Sequence, residues 1–143
     1  MMRLGLLLLL ASAGCASHYA YAFHVDEPAA DPNLEARIAV DTVSDDIALE
    51  LTNKTDQVLQ VEWADIALTG AKGHVARLRP DADLGWIQPG ATIEARLFPL
   101  ALPREGDAAA AYEGQRFDLS VPVIVRREAT VYHYSLVAHV RAL

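Results

Sequence analysis

From Leu34 to the end of the chain, apolar and polar residues alternate in short runs, which is the pattern of half-buried β-strands. The first run has apolar residues at every second position: Leu34, Ala36, Ile38 and Val40. The clearest run has the same period: Phe117, Leu119, Val121, Val123 and Val125. Pro122 lies on the opposite phase of that run, which predicts an edge strand or a bulge there because proline has no amide hydrogen to donate.

Turn signals separate these runs at intervals of about 8 to 12 residues. They include Asn53–Asp56, Gly70–Gly73 and Pro89–Gly90. No run has the period of a long amphipathic helix. We therefore predict an all-β domain over residues 34–143, an antiparallel sandwich of about seven to eight strands in two sheets. A small β-barrel is the alternative.

The first fifteen residues have a different pattern. One basic residue, Arg3, precedes an apolar run over residues 4–13, and Gly14 and Cys15 follow. The run is about half as long as a transmembrane helix, and the order of parts resembles a secretory signal peptide. With its cysteine, the segment resembles the lipobox of bacterial lipoproteins, although Ser12 stands where leucine is usual.

The lipoprotein resemblance implies that residues 1–14 are removed and that Cys15 is diacylated as the first mature residue. Ala16 follows the cysteine, where an acidic residue can mark retention at the inner membrane. The resemblance thus implies a lipid-anchored protein of the bacterial cell envelope, at the outer membrane and facing the periplasm. The alternative is plain export, with cleavage after one of three alanines: Ala11, Ala13 or Ala16.

Residues 15–33 are predicted to tether the domain to the lipidated cysteine. Their second half, Asp26–Pro32, is acidic and contains prolines, which argues against regular structure. Their first half, His18–His24, is aromatic and leaves two further alternatives, an edge strand or a segment lying at the lipid headgroups.

A second resemblance covers roughly residues 36–140. The run Leu49–Thr55 is followed by a strand with Trp63, a glycine-rich hairpin and a Pro-Gly turn. This order resembles immunoglobulin-like modules of bacterial envelope proteins, without the cysteine pair of antibody domains. The resemblance implies an immunoglobulin-like sandwich. Trp63 and Trp86 are predicted to anchor its core, and Trp86 is also a candidate contact residue at the sandwich end.

Composition narrows the function classes. The chain has 143 residues, enough for one domain with a substantial core, and carries 12 Lys and Arg against 19 Asp and Glu, a net charge of −7. This balance argues against nucleic-acid binding, because no basic stripe relieves the repulsion from phosphates. Cys15 is the one cysteine, so no disulfide forms within the chain.

The metal-ligating residue types are not grouped as a metal site requires. His133 and His139 would share a strand face about 20 Å apart, too far to hold one ion. Residues 81–85 resemble the opening of a calcium loop, but Gly85 stands where Asp or Asn is expected and Thr92 where Glu is expected. We therefore predict neither a metal nor another cofactor.

No nucleophile has the surroundings that catalysis needs. None of the three serines Ser44, Ser120 and Ser135 has a Gly-x-Ser-x-Gly frame, and the carboxylates are scattered singly. We therefore predict a protein that is not an enzyme.

The sequence thus favours a structural or protein-interaction module that is bound to the membrane through its lipid and to another envelope protein through its domain. A periplasmic lipoprotein that binds a metal or a small ligand is the alternative. The long connection Pro99–Gln115 is the leading contact candidate, because long irregular connections are often functional. Deleting residues 107–112 is expected to leave thermal stability almost unchanged and to abolish partner capture. A tolerated loop without a role is the alternative. The candidate contact residues are Trp86, Arg104, Glu105, Asp107 and Tyr112.

Overall fold

The computed structural model describes residues 17–81 and 85–143, apart from the side chain of Lys72. Within these residues eleven strands form two antiparallel sheets. The strands are β1 (Tyr19–Val25), β2 (Leu34–Asp41), β3 (Asp46–Asn53), β4 (Leu59–Val61), β5 (Ala67–Gly70), β6 (Val75–Arg77), β7 (Arg79–Pro80), β8 (Trp86–Ile87), β9 (Thr92–Phe98), β10 (Arg116–Val125) and β11 (Glu128–Ala142). The short helical elements are α1 (Gly106–Ala110) and two 3₁₀ turns, Trp63–Asp65 and Ala71–Gly73.

The larger sheet has seven strands in the order β1-β11-β10-β4-β8, with β5 also paired to β10 and β6 to β5. The smaller sheet has the order β2-β3-β9-β7. The prediction of an all-β antiparallel sandwich is confirmed. The strands outnumber those predicted because the middle of the chain is divided into short segments, such as β4 and β5 on either side of the turn Trp63–Asp65.

The core lies between the two sheets and follows the period-two pattern of the sequence. In β10 the five apolar residues of the inward phase are all buried, and β3 buries Ile47, Leu49 and Leu51 from the opposite sheet. Tyr134, Leu136 and Ala138 of β11 are also buried, while His133 and His139 on the other phase are exposed. Burial of these alternating side chains is the main stabilising contribution to a two-sheet fold.

Pro122 lies in a central strand, so the prediction of an edge or a bulge is wrong. β10 pairs with β11 along its whole length, and with β5 and β4 on its other side. The Pro122 carbonyl accepts a hydrogen bond from the Glu62 amide at 2.9 Å, on the β4 side. The missing amide hydrogen therefore faces the gap between β5 and β4, where the turn Trp63–Asp65 interrupts the ladder.

The predicted tether divides into two parts. Residues 19–25 form β1, which pairs with the end of β11, so the edge-strand alternative is the observed one. Tyr21 is buried, and Tyr19 and Phe23 pack against the core on the same phase. Residues 26–33 contain no strand, as their composition predicts. The predicted signal peptide, Cys15 and Ala16 lie outside the described residues.

The two tryptophans have different positions. Trp63 is half-buried and packs against the core, as predicted. Trp86 is 61% exposed on β8, so it does not anchor the core and lies on the outer face of the larger sheet. No helix in residues 17–81 or 85–143 is long and apolar enough to cross a membrane.

Replacing Gly70 with alanine tests the packing around the most buried aromatic ring. A Cβ at this position would lie 2.6 Å from Cδ1 and 3.1 Å from Cζ of Phe117. Phe23 and Tyr112 hold that ring at centroid distances of 5.6 Å each, so it has little room to move. We expect Gly70→Ala to lower the free energy of unfolding by about 1–3 kcal/mol in urea denaturation.

Gly85→Ala is the matched control for this packing test. A Cβ at residue 85 would have its nearest neighbour, the Val61 carbonyl oxygen, at 3.8 Å, which is ordinary contact. We expect its free energy of unfolding to stay within about 0.5 kcal/mol of the parent value. Equal effects of the two substitutions would contradict the close approach of Gly70 to Phe117.

Candidate functional site

The connection of residues 99–115, predicted as a contact loop, is packed into the domain. Leu100, Leu102 and Ala109 are buried, and Tyr112 is only 8% exposed. The Tyr112 ring lies 5.6 Å from that of Phe117, and α1 forms within the alanine run. The expectation that deleting residues 107–112 leaves stability unchanged is therefore wrong, because the deletion would remove core side chains.

The five predicted contact residues do not form one site. Arg104 donates to the Thr42 carbonyl and lies 3.4 Å from Asp45, while Glu105 pairs with His18 at 3.5 Å. Asp107 is exposed in the first turn of α1, so these three surround the start of β1. Tyr112 is part of the core.

Trp86 lies far from the other four predicted residues. Trp86 on β8 pairs with Gln60 on β4, and Gln60 pairs with Ile124 on β10. Ile124 in turn pairs with Ala129, at the start of β11. The start of β1 pairs with Ala142 at the other end of β11. The two ends are about 40 Å apart along a strand that rises about 3.3 Å per residue.

The exposed histidines are each paired with a carboxylate. His24 lies 3.7 Å from Asp26, His133 lies 2.9 Å from Asp118, and His139 lies 3.4 Å from Glu113. Within the described part of the chain, no three or more His, Cys, Asp or Glu side chains are grouped so that they could hold a metal.

The calcium-like segment is only partly described, since residues 82–84 are outside the described ranges. The carboxylate of Asp81 accepts the Arg96 amide of β9 at 2.9 Å, and its own amide donates to the Arg96 carbonyl. Asp81 therefore ties this segment to the smaller sheet.

A groove of about 730 Å³ opens at one side of the sandwich. One wall is β2, the edge strand of the smaller sheet, through residues 34–38. The other wall is β11 of the larger sheet, through Tyr132, His133 and Tyr134. Residues 25–31, which cross from one sheet to the other, and Lys54 complete the lining. We call this feature the side groove.

The side groove exists because β1 pairs with only part of β11. The pairing runs from Tyr19–Ala142 to Val25–Leu136, and the Asp26 amide then donates to the Ser135 carbonyl at 2.9 Å. Beyond this bond the chain turns away towards β2, while β11 continues to Glu128. Pro28 cannot donate an amide hydrogen, so it would interrupt any further ladder.

The outward backbone groups of β2 can be identified from neighbouring hydrogen bonds. The backbone of Asn53 bonds to Ala91 and Gly90, away from β2, and the Leu34 amide donates to the Asp31 carboxylate at 3.1 Å. Leu34 and Asn53 therefore form a pair that is not hydrogen-bonded. Ala36 and Ile38 follow Leu34 at intervals of two residues and therefore have the same backbone orientation. Their amides and carbonyls point away from β3 and into the side groove.

The outward backbone groups of β11 follow from its bond to Asp26. The Ser135 carbonyl accepts from Asp26, so it points away from β10. His133 and Val131 share that phase, and no strand of the described chain pairs with them on this side. Two free strand edges therefore flank the side groove.

Two tyrosines form much of the groove's interior. Tyr134 is 7% exposed, and burial, followed by the nearby Tyr132 and Asp31, raises the pKa of its hydroxyl. That hydroxyl has no hydrogen-bond partner among the described residues, and no fully buried side-chain polar atom there is unsatisfied, so it reaches the solvent of the groove. The Tyr132 hydroxyl lies 3.3 Å from the Asp31 carboxylate, and burial also raises its pKa.

Some charged residues of the groove lining have a polar partner within the domain, and others do not. Asp26 pairs with the Arg116 guanidinium, whose hydrogen bond holds the pKa of that carboxyl below its usual range. Lys54 donates from Nζ to the Asp31 carbonyl at 3.0 Å. Glu27 and Glu35 form no ion pair with any described residue. Arg37 also lines the groove without an ion pair to a described residue, so four carboxylates (Asp26, Glu27, Asp31 and Glu35) stand against two cations (Arg37 and Lys54), and the lining is net negative.

No protein-family model, curated protein or solved structure matches this chain. The side groove was not predicted from the sequence, which indicated residues 99–115 and Trp86 as contact candidates. Its local signals were Pro28 and Pro32 after an aromatic strand, and the two tyrosines on the core phase of β11. The free edges depend on where β1 stops along β11, which no local pattern specifies.

Amide hydrogen exchange tests the free edge of β2. In the free protein we expect the amides of Ala36 and Ile38 to exchange faster than that of Arg37 by roughly tenfold or more, because only Arg37 is bonded to β3. NMR on the ¹⁵N-labelled protein measures this difference residue by residue. Equal protection of the three amides would contradict the free edge.

Proposed function

We propose that this protein is a lipid-anchored module of the bacterial cell envelope, held through Cys15 at the outer membrane and facing the periplasm, and that it binds another envelope protein at the side groove. The observation that carries the binding role is the pair of unpaired strand edges beside the groove. Such edges are ready templates for pairing with another chain, and stable domains usually block them.

The start of the described chain supports the anchoring role. The Ser17 carbonyl accepts the Gly106 amide at 3.0 Å, and the His18 carbonyl accepts the Leu143 amide at 2.9 Å. Cys15 precedes Ser17 by only two residues, a reach of about 7 Å. A lipid on Cys15 would therefore hold this end of the sandwich at the bilayer surface.

The side groove would remain accessible in this arrangement. It begins at Val25, six residues along β1 from Tyr19, which corresponds to about 20 Å of strand. A membrane-bound domain would thus present the groove to the periplasm and not to the lipid headgroups.

Substituting Cys15 tests the anchor. We expect Cys15→Ser to move the protein from the membrane fraction to the soluble fraction, because several acyl chains together account for stable binding. Membrane fractionation measures the shift, and mass spectrometry of the mature N-terminus identifies the acyl chains. Ser12→Leu is the control: it restores the residue usual in the lipobox and should leave the protein in the membrane. A wild-type protein that is soluble, with an unmodified thiol, would overturn the anchor.

Site-specific photo-crosslinking in the native host tests the partner role. We expect a photo-reactive residue in place of Glu35, beside the groove, to give an adduct with one envelope protein. Glu105 is the matched control, because it is also an exposed glutamate but lies beside His18 near the start of β1, at the end of β11 opposite to the groove. No protein adduct at position 35, or the same adduct at position 105, would contradict the assignment.

A small organic ligand is the second candidate, because the side groove has the volume of a typical ligand pocket. The solvent-reaching hydroxyl of Tyr134 favours this alternative, since a ligand could satisfy it. The crosslinking experiment separates the two roles: a groove filled by a small ligand gives no protein adduct at position 35.

A further inference from the structure

We infer that the side groove binds an extended segment of the partner protein, which adds as a new strand to the outer edge of β2 and places a basic residue beside Glu35. This inference rests on the proposed interaction role and specifies the chemistry of the partner.

The outer edge of β2 has free backbone hydrogen-bonding groups. Ala36 and Ile38 each direct an amide and a carbonyl into the groove, and none of these groups has a partner among the described residues. The Leu34 amide is already satisfied by Asp31, so the available edge begins at Ala36. An extended peptide matches this alternating spacing of donors and acceptors, whereas a helix, whose amides are bonded internally, does not.

β2 is a better template than the free edge of β11. β2 is paired to β3 over its whole length of eight residues, so its backbone is already extended and held in place. On β11 the Ser135 carbonyl is occupied by Asp26, and the crossing segment leaves the sheet at that point. Prior ordering of β2 reduces the entropy lost when a second chain binds.

The side chains around β2 define the inward side of the added strand. Leu34, Ala36 and Ile38 point towards the core phase, and Tyr132 and Tyr134 lie across the groove. The inward residues of the partner segment would contact these apolar groups and should therefore be apolar. Its alternate residues would lie beside the exposed side chains of β2, Glu35 and Arg37.

The charges along β2 indicate which residue of the partner segment should be basic. On the β3 side Arg37 is in register with the acidic residue Glu50, whereas Glu35 is in register with the neutral Thr52. Glu35 has no ion pair among the described residues, and Glu27 also lines the groove. A lysine or arginine in the partner segment beside Glu35 would supply the missing positive charge, which sets specificity more than affinity.

Peptide panning on the lipidated full-length mature protein in liposomes tests this inference. The probe is a library of displayed random heptapeptides. We expect the enriched peptides to alternate apolar residues with others and to carry Lys or Arg at one of the alternate positions. Glu35→Arg should reverse that preference to Asp or Glu, because the basic residue of the peptide is expected to lie beside the side chain at position 35.

A matched pair of variants at one position isolates the backbone contact. Ile38→Pro removes the amide hydrogen that points into the groove, whereas Ile38→Ala shortens the same side chain and keeps that hydrogen. We expect Ile38→Pro to weaken binding of an enriched peptide by roughly tenfold, the effect of a lost hydrogen bond, and Ile38→Ala to weaken it less. Hydrogen exchange in the wild-type protein gives a second readout, since the bound peptide should protect the amides of Ala36 and Ile38.

The outcomes separate this inference from the proposed function. No enrichment, enrichment without alternation, an unchanged charge preference in Glu35→Arg, or no protection of the two amides would overturn strand addition. If position 35 still crosslinks an envelope protein, the interaction role stands and only its strand-addition form is lost. If no protein crosslinks there, the interaction role itself fails.

Discussion

The open side of this sandwich depends on the point at which β1 leaves β11. Pairing stops at Val25 and Leu136, although β11 begins at Glu128. Pro28 follows closely, so the chain cannot extend the ladder and instead crosses to the smaller sheet. The crossing segment is fixed at both ends, by the bond from the Asp26 amide to Ser135 and by the Asp31 carboxylate that receives the Leu34 amide. The side groove is thus bounded by hydrogen-bonded chain.

The edges of the two sheets are not protected equally. β6, β7 and β8 contain two or three residues each, and such short edges offer little template for a second chain. β2 has eight residues and carries Glu35, Arg37 and Asp41 on its exposed face. These charges discourage unspecific aggregation while leaving the backbone groups on the core phase free. β2 thus has a long edge that is charged but not covered by another element. Such an edge is better suited to selective pairing with a second chain than to serving only as the boundary of the sheet.

The sequence predicted those elements whose stability depends on alternation within one strand. β3, β9, β10 and β11 each bury one phase, so a period of two was enough to predict an all-β sandwich, although not which strand lies in which sheet. β1 was left undecided because aromatic residues such as Tyr19, Tyr21 and Phe23 occur both in strands and at lipid interfaces, and the two tyrosine hydroxyls suit either place. This segment is a strand because it pairs with β11, more than a hundred residues away. A local sequence pattern contains no information about such pairing.

The site was harder to predict because burial in residues 99–115 has no period. Leu100, Leu102, Ala109 and Tyr112 are buried at irregular spacing, since they join the core from an irregular connection and not from one face of a single regular element. Irregular sequence therefore indicated an exposed loop where the chain instead packs. The groove was missed for a related reason, because it is defined by register between distant strands and by the end of one of them.

Residues 99–115, predicted as a contact loop, instead join the start of β1 to the rest of the domain. The Tyr21 hydroxyl donates to the Pro103 carbonyl, and Arg104 bonds to the turn after β2 through Thr42. Together with the Tyr19 amide, which donates to the Arg104 carbonyl, these bonds join the start of β1 to both sheets. Residues 99–115 therefore hold the end of β1 that lies nearest to Cys15 in sequence, whereas the side groove begins about 20 Å further along that strand.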